Sequence, residues 1–545
     1  MSTNRLLAAI GAAILLASPA ATQNVQRQAR PKLLVVISVD QLSSDLFAQY
    51  RPHFTGGFKR LSEGVVFPSG YQGHAATETC PGHSTILTGS RPSRTGVIAN
   101  NWFDLRQPRA DKQVYCAEDP RVPGSSSSSY TVSSYHLKVP ALGDLMKRAD
   151  PGARVAVVAG KDRAAIMMGG HGPDHRYWWS GKAFTGAVGS TQAAALGSAN
   201  AAIDTALARP REKLQLPPVC AARSRPVPVA GGQAVGAGGF AREAGDARAF
   251  RNSPELDGAT LALAGALRAE LRLGERSATD LLILGLSATD YVGHSFGTQG
   301  AEMCLQLLSL DRDLGDFFAL MDRTGVDYAV TLTSDHGGLD LPERDRQNAA
   351  ANALRVDPAL GATAMGKAIG ARLRLNGPVL YGDGAFGDMY VDRALTAAQR
   401  ARALAEALRG YRAHPQVAAA FSAAELSRAP SPSSPPDEWT LLDRARASFD
   451  PERSGDLVVM LRPQVTPIAD PSRGYVATHG SPWDYDRRVP ILFWRRGIAS
   501  FEQPRAVETV DIMPTLAALI GLPVTPGTID GRCLDLTEGP AASCR

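Results

Sequence analysis

LLVVISVD, residues 33–40, decides the fold, because seven mostly apolar residues lead directly into the carboxylate of Asp40. An apolar run without polar alternation is typical of a strand buried on both faces, as in a parallel sheet. Four further apolar runs end close to polar or ionisable residues: 155–159, 281–286, 328–332 and 489–493. The sequence therefore predicts a sheet of several buried strands, most of them parallel.

Helical patterns lie between the predicted strands. Residues 260–273 and 303–323 carry apolar side chains three and four positions apart, which is typical of an amphipathic helix. Alternating strands and helices predict an α/β fold, with helices flanking a mostly parallel sheet.

Ionisable side chains follow four of the apolar runs. They are Asp40, Lys161, Asp290 and Asp335. Ligands of α/β sheets bind beyond the carboxyl ends of the strands. Because those ends meet at one edge of a parallel sheet, we expect the four side chains to lie close together.

Two short motifs each join a carboxylate to an imidazole: Asp290-Tyr-Val-Gly-His294 and Ser334-Asp-His-Gly-Gly338, which contains Asp335 and His336. Oxygen and nitrogen ligands together suit zinc better than magnesium or calcium. Asp40 and His479, the latter in Thr478-His-Gly480, complete six ligands, enough for two three-ligand sites with open positions. Two-metal sites are suited to displacement at phosphorus.

Thr79 is the candidate nucleophile for such a displacement. It lies in TETCPGHSTILT, residues 77–88, where Pro81 is favoured in the first turn of a helix. The dipole and free N–H groups of a helix N-terminus favour an alkoxide and an incoming phosphate. Metal coordination would complete the activation of the hydroxyl. The alternative is that Thr79 only caps the helix.

Cationic and amide groups are candidates for binding the phosphate oxygens. Lys161 and Arg163 lie two residues apart after the run 155–159, and Arg binds such oxygens through two parallel hydrogen bonds. Asn100 is a further donor. The alternatives are a solvated turn at 161–163 and a purely structural role for Asn100.

Residues 1–22 predict a secretory signal peptide. Arg5 supplies the positive start, and the apolar segment 6–18 is too short to span a bilayer. Small residues at 18–22 provide a cleavage site. We therefore expect an exported protein, periplasmic or extracellular, without a membrane span after cleavage of the signal.

Composition and cysteine content agree with an exported globular protein. The chain of 545 residues is 44% hydrophobic, and its net charge of +5 is dispersed, so no nucleic-acid partner is predicted. Six cysteines in an exported chain favour disulfides. Six allow fifteen pairings, and pairing neighbours along the chain predicts Cys80–Cys116, Cys220–Cys304 and Cys533–Cys544.

The chain divides into a catalytic domain and an insertion. Residues 31–340 and 470–545 are expected to form the catalytic domain, and 341–469 an inserted cap segment. The insertion has its own predicted helix at 396–409 and predicted strands at 387–391 and 457–461. Residues 100–150 and 170–250, rich in Gly, Ser and Pro, are expected to form loops over the active face.

Together these motifs resemble the alkaline phosphatase superfamily, in particular its exported, single-chain bacterial alkaline phosphatases with a threonine nucleophile. This group is related to the type I phosphodiesterases and nucleotide pyrophosphatases. The resemblance covers about residues 31–535. It rests on segments 37–40, 79–83, 99–102, 161–163, 290–294, 334–338, 478–480 and 511–516.

The resemblance implies a role for each candidate residue. Two Zn2+ ions per chain are expected, the first held by Asp40, Asp335 and His336 and contacting Thr79. The second would be held by Asp290, His294 and His479. Asn100, Lys161 and Arg163 would bind the transferred phosphoryl group. A structural Ca2+ is left open, with no residues assigned to it.

The resemblance also implies the reaction: zinc-dependent hydrolysis of phosphate monoesters through a covalent phosphothreonine, with release of inorganic phosphate. Three alternatives remain open. The first is a secreted phosphodiesterase or nucleotide pyrophosphatase with the same two-metal site. The second is a serine esterase using Ser295, because Gly293-His-Ser-Phe-Gly297 fits the nucleophile-elbow pattern. The third is a metal-binding protein without catalytic activity.

Overall fold

The computed structural model describes residues 29–187, 192–230, 232, 234–537 and 544; the predicted signal peptide lies outside them. The strands are β1 Leu33–Val39, β2 Val65–Tyr71, β3 Asn101–Phe103, β4 Gln113–Tyr115, β5 Val155–Ala159, β6 His175–Trp179, β7 Phe184–Gly186, β8 Val227–Pro228, β9 Ala234–Val235, β10 Asp280–Leu286, β11 Tyr328–Thr333, β12 Leu354–Arg355, β13 Leu380–Tyr381, β14 Gly387–Val391, β15 Val417–Ser422, β16 Leu457–Leu461, β17 Val465–Thr466, β18 Arg488–Arg495, β19 Phe501–Glu502 and β20 Val507–Glu508. The helices are α1 Ser44–Tyr50, α2 Gly57–Leu61, α3 Thr79–Thr88, α4 Pro92–Thr95, α5 Leu142–Ala149, α6 Asp162–Gly169, α7 Ala194–Leu207, α8 Pro218–Ala221, α9 Ala247–Arg251, α10 Glu255–Leu271, α11 Ala288–Phe296, α12 Ala301–Arg323, α13 Pro342–Gln347, α14 Ala362–Leu373, α15 Ala397–Ala413, α16 Ala423–Arg428, α17 Leu441–Ser448, α18 Asp484–Arg487 and α19 Ile512–Leu519.

The central sheet has the strand order β19-β2-β18-β11-β1-β10-β5-β6-β7, with β20 also paired to β2. Its middle strands, β11, β1, β10, β5 and β6, are parallel to one another. This confirms the predicted α/β fold with a mostly parallel sheet. The run 489–493 is an exception, since β18 is antiparallel to both β11 and β2.

Both faces of the sheet are covered, which explains the continuous apolar runs. In β1, Leu33, Val35 and Ile37 belong to one apolar core, whereas Leu34 and Val36 belong to the other. The first core includes side chains of α1, α10, α11 and α12, and the second includes side chains of α3, α5, α6 and α19. Successive side chains of a strand point to opposite faces, so a strand between two helical layers must be apolar throughout.

A second, four-stranded sheet lies within the predicted insertion, in the order β13-β14-β16-β15. It includes both strands predicted there. The helix predicted at 396–409 is α15, which extends further along the chain, from Ala397 to Ala413. An apolar core of its own joins this sheet to α14 and α15. The division at 340 and 470 itself stays a prediction.

The expectation of loops at 170–250 is wrong in part. Residues Ala194–Leu207 form the helix α7, which packs on α10. Six alanines occupy the 14 positions of α7 (AALGSANAAIDTAL), and alanine has the highest intrinsic helix propensity. The neighbouring glycine-rich and serine-rich stretches obscure this signal.

All three predicted disulfides are present: Cys80–Cys116, Cys220–Cys304 and Cys533–Cys544. Disulfides persist in oxidising compartments such as the periplasm and the extracellular space. Among the described residues, none of the helices is long and apolar enough to cross a membrane.

Candidate metal centre

The candidate ligands gather where the adjacent parallel strands β11, β1, β10 and β5 end. Asp40 follows β1 directly, and Asp335 lies two residues after β11. Asp290 lies in the first turn of α11, the helix after β10, and Lys161 caps α6, the helix after β5. All four side chains are buried. The structure therefore brings together the four ionisable residues predicted to share this edge.

Three histidines are oriented by backbone carbonyl groups. Nδ1 of His294 lies 2.9 Å from the carbonyl oxygen of Ala477, and Nδ1 of His479 lies 2.8 Å from that of Thr77. Nδ1 of His336 lies 2.8 Å from the carbonyl oxygen of Gly337. A carbonyl oxygen only accepts, so each Nδ1 carries a proton and Nε2 is the ring atom available to ligate a metal. This orientation is typical of histidines that ligate metals.

The free Nε2 atoms face the carboxylates. Asp290 Oδ1 lies 3.4 Å from His294 Nε2 and 3.3 Å from His479 Nε2. Asp335 Oδ2 lies 3.1 Å from His336 Nε2. The rings of His336 and His479 stack with their centres 3.6 Å apart, so the two expected ligand sets adjoin each other.

The tightest ligand groupings differ in membership from the two expected sets. Ligand atoms of Asp290, His336 and His479 lie within 4.8 Å of one another, as do those of Asp40, His83 and Asp335. His336 groups with Asp290 and His479, but its Nε2 lies 3.1 Å from Asp335 Oδ2, so His336 faces both sets. Its expected place with Asp40 and Asp335 stays a prediction.

His83 is a residue of the centre that the sequence reasoning missed. Its Nδ1 lies 2.9 Å from the carbonyl oxygen of Thr79, and its Nε2 lies 3.2 Å from Asp40 Oδ1. Its Nδ1 also lies 3.3 Å from Asp335 Oδ2. His83 therefore contacts both carboxylates of one expected ligand set. Its spacing of four residues from Thr79, which places both on one helix face, is the signal that could have found it.

The centre contains many buried polar atoms without a hydrogen-bond partner. Leaving such an atom unsatisfied costs about 1–3 kcal/mol, so a cluster of them indicates a missing ligand. Here they are Asp40 Oδ1, Thr79 Oγ1, His83 Nε2, Arg163 Nε, Asp290 Oδ1, Asp335 Oδ2 and His336 Nε2. Divalent cations would satisfy the carboxylates and imidazoles, and an anion would satisfy Arg163. The residues present therefore fit a divalent-metal centre with an adjacent anion site.

Lys161 is the cation that links the carboxylates. Its Nζ lies 2.6 Å from Asp290 Oδ2 and 3.0 Å from Asp40 Oδ2. Burial alone would lower the pKa of Lys161, but these two carboxylates override it and raise the pKa. Burial likewise opposes ionisation of Asp290, and Lys161 nonetheless holds the pKa of Asp290 well below its usual range. Lys161 is therefore charged and points at the centre, which excludes the solvated turn.

Thr79 begins α3, as predicted, and Asn100 is fixed beside it. The Cys80 N–H donates to Asn100 Oδ1 at 2.8 Å, and the Asn100 N–H donates to Glu78 Oε2 at 2.7 Å. The same helix lies very close to the strand end that carries Asp335. A Cβ at Gly82 would stand 2.1 Å from the Asp335 carbonyl oxygen, so only glycine fits there.

Arg163 is held by a small polar network. Tyr115 donates to Asp162 Oδ1 at 2.8 Å, and Tyr130 donates to the other carboxylate oxygen at 2.9 Å. Burial opposes the charge of Arg163, but Tyr115, Tyr291 and Asp162 raise its pKa. The guanidinium is therefore charged, with a buried Nε that meets no partner.

Ser295 has no serine-esterase environment. It lies inside α11 rather than at a turn between strand and helix, and its Oγ accepts from Asn252 Nδ2 at 2.9 Å. A nucleophile elbow requires the turn and an imidazole partner.

The disulfide Cys80–Cys116 ties the candidate nucleophile to the phosphate-binding residues. Cys80 follows Thr79, and Cys116 follows Tyr115 and donates its N–H to the Asn100 carbonyl at 3.0 Å. We expect Cys80→Ala with Cys116→Ala to lower kcat/KM for p-nitrophenyl phosphate about tenfold, because small misplacements of reacting groups are costly. Steady-state kinetics well below the melting temperature measure this loss.

Cys220→Ala with Cys304→Ala is the matched control. The two bridges close loops of 36 and 84 residues, and removing either is expected to destabilise the fold by about 4–5 kcal/mol. The control pair should keep near-wild-type kcat/KM. Equal losses in both variants would show that Cys80–Cys116 acts only on stability.

The fold and the site together define a class, the metal-dependent hydrolases of the alkaline phosphatase superfamily. The family model for type I phosphodiesterase / nucleotide pyrophosphatase matches residues 34–482, and the chain belongs to this family.

Two relatives match nearly the whole chain. Alkaline phosphatase PhoK of Sphingomonas sp is 57% identical over 518 residues, which are 94% of this chain and 92% of that protein. Alkaline phosphatase PhoD of Zymomonas mobilis is 48% identical over 521 residues, 94% of this chain and 89% of that protein. The chain is thus an enzyme, which excludes the reading as a metal-binding protein without catalysis.

The solved structure of wild-type alkaline phosphatase PafA shares the fold. It superposes with a TM-score of 0.80 at 24% identity and covers 94% of this chain and 100% of that one. The α/β sheet flanked by helices is therefore the alkaline-phosphatase-like fold that the motifs predicted.

Proposed function

We propose that this chain is an alkaline phosphatase that hydrolyses phosphate monoesters through a phosphothreonine at Thr79. The observation that carries the proposal is the position of Thr79 Oγ1. It is buried without a hydrogen-bond partner at the start of α3, among the candidate metal ligands. Relatives that are named alkaline phosphatases over 94% of the chain support the same activity.

The chain's own residues supply the nucleophile and the contacts to the phosphoryl group. Thr79 Oγ1 loses its proton to solvent and attacks phosphorus in line, while the bond to the alcohol oxygen breaks and that oxygen takes a proton from solvent. Water then cleaves the phosphothreonine, restores the hydroxyl and releases inorganic phosphate. Asn100, Lys161 and Arg163 hold the other phosphoryl oxygens throughout, and such fixed charges supply much of the rate in phosphoryl transfer.

The proposed metal content is two Zn2+ per chain. Asp40, Asp335 and His336 would hold one ion beside Thr79, and Asp290, His294 and His479 the other. When bound, zinc acts as a Lewis acid toward oxygens and lowers the pKa of water. The mixed carboxylate and imidazole donors support zinc over calcium or magnesium, and no residues are assigned to a calcium site.

Phosphodiester hydrolysis is the second candidate, because the matching family model describes phosphodiesterases and nucleotide pyrophosphatases. Lys161 and Arg163 separate the two activities. A monoester presents an additional charged oxygen for these cations, whereas a diester has an ester group in that place. The charged pair therefore favours monoesters.

Lys161→Ala with Arg163→Ala tests this preference. We expect kcat/KM for p-nitrophenyl phosphate to fall at least about a hundredfold, since each charge-assisted contact contributes about 1.5–3 kcal/mol. For bis(p-nitrophenyl) phosphate we expect a fall of less than about tenfold.

Arg251→Ala is a suitable control, because Arg251 lies over the Tyr291 ring without belonging to the phosphate clamp formed by Lys161 and Arg163. It should leave the ratio of the two activities unchanged. Equal losses on the two substrates in the double variant would contradict the clamp. Faster wild-type turnover of the diester would replace the proposal with the second candidate.

We further propose that the protein is exported to the periplasm or beyond, and that residues 341–469 form a cap on a catalytic domain of 31–340 and 470–545. The three disulfides support the first proposal. The separate sheet and apolar core of the insertion support the second.

A further inference from the structure

A cleft lies between the catalytic part of the chain and the insertion. It encloses about 690 Å³, with its open mouth included. One wall includes Glu78, Asn101 and Trp102, and the opposite wall includes Asp383, Phe386 and residues 458–460 of the insertion. None of the roles proposed above uses this space.

The cleft begins one residue from three members of the reaction centre. Its wall contains Glu78, which precedes Thr79, and Asn101, which follows Asn100. It also contains Gly480, the residue after His479. Consecutive Cα atoms are 3.8 Å apart, so the cleft lies beside the reaction centre.

Phe386 of the insertion closes over this junction. A Cβ at Gly480, where φ is +109°, would stand 3.1 Å from Phe386 Cζ and 3.6 Å from Glu78 Cγ. A side chain at position 480 would therefore fill the passage between the centre and the cleft. The ring of Phe386 is half-buried, so one part of it packs on the protein and another part faces open space.

The walls of the cleft are mostly apolar and aromatic, and their charged residues are all acidic. Trp102, Phe103, Phe386 and Tyr390 supply rings, and Met460 supplies a flexible thioether. Such surfaces bind apolar groups through burial and ring contacts. Among the residues that the structure describes, no lysine or arginine lines the cleft.

Carboxylates line the same cleft. Asp383 accepts from Asn101 Nδ2 at 3.1 Å across the two walls and stays exposed. Asp388 accepts from the Gly455 N–H at 2.6 Å, and burial raises its pKa to about 6, so it is ionised under alkaline assay conditions. An anionic group that entered the cleft would meet these charges without a compensating cation.

We propose that this cleft binds the alcohol portion of the phosphate monoester, and that it selects uncharged aromatic or apolar groups over those with a second anionic group. Phe386 provides the apolar contact, and Asp383 provides the repulsion. The inference rests on the proposed function. It adds that the insertion determines which monoesters are used.

Phe386→Ala tests the apolar contact. We expect kcat/KM for β-naphthyl phosphate to fall about tenfold, equivalent to about 1.4 kcal/mol, and that for methyl phosphate to change less than about twofold. The ratio of variant to wild type for each substrate cancels intrinsic reactivity. Leu354→Ala is the control, since Leu354 is an exposed apolar residue of the insertion outside the cleft.

Asp383→Asn tests the charge and keeps an oxygen for the bond from Asn101. The substrates are meta-carboxyphenyl and meta-carbamoylphenyl phosphate, which match in size and differ by one charge. The variant should gain about threefold in kcat/KM for meta-carboxyphenyl phosphate and nothing for meta-carbamoylphenyl phosphate. A threefold gain is the effect expected for one exposed charge pair. Asp437→Asn, an exposed residue of the insertion outside the cleft, should change neither substrate.

The outcomes separate the two levels of the proposal. Equal losses of Phe386→Ala on methyl and β-naphthyl phosphate would overturn the cleft assignment and leave the proposed function standing. An unchanged preference in Asp383→Asn would overturn the charge selection. A wild-type enzyme that hydrolyses none of these monoesters would overturn the proposed function itself.

Discussion

Thr79→Ala is expected to lower turnover of p-nitrophenyl phosphate by at least about a thousandfold, the scale seen when a covalent nucleophile is removed. The hydroxyl that the substitution removes is the only group of Thr79 with a proposed role in the reaction. Its Oγ1 has no hydrogen bond in the fold, so its loss leaves no partner unsatisfied. The variant should therefore fold and bind metal as the wild type does. Rapid-quench kinetics and metal analysis of the purified variant measure both expectations.

Thr88→Ala is the matched control, because Thr88 is a buried threonine at the other end of the same helix. Its hydroxyl donates to the Ser84 carbonyl, so the control should lose stability rather than turnover. Acid-stable phosphate should be trapped on the wild type at position 79 and not on Thr79→Ala. Full activity of Thr79→Ala with normal metal content would refute the nucleophile.

The central fold and most of the candidate metal centre were predictable because short, continuous stretches of sequence determine them. The apolar run before Asp40 covers β1 completely, and the same reasoning located β5, β10 and β11 within one residue. Each candidate ligand lies shortly after one of these strands or in a short motif. Topology then dictates that ligands after adjacent parallel strands converge.

The parts that escaped prediction depend on packing between distant segments. An apolar run does not encode strand direction, so β18 was expected to resemble its parallel neighbours, although it pairs antiparallel with β11. His83 becomes part of the centre only because α3 lies against the strand end at Asp335. The cleft requires Phe386 and Trp102, which are far apart in sequence, and no local pattern relates them.

Metal removal is expected to abolish activity, with a fall of about a thousandfold or more, because the centre supplies Lewis-acid chemistry that no side chain replaces. Dialysis against a chelator followed by addition of Zn2+ should restore turnover, and Ca2+ should not. Two ions per chain should return with activity. Undiminished hydrolysis by protein shown to contain no transition metal would contradict the two-metal centre.

The melting temperature of the protein is a second measurement in the same chelation experiment. Without divalent ions, the buried carboxylates of Asp40 and Asp290 depend on Lys161 for their charge balance. Buried charges that lose their partner destabilise a fold by about 3–5 kcal/mol. The melting temperature should therefore fall on chelation, and it should fall further in Lys161→Ala than in the wild type. With zinc bound, the two proteins should melt at similar temperatures, because the metal then compensates the carboxylates. An equal fall in both proteins would show that Lys161 does not balance the charge of the metal-free centre.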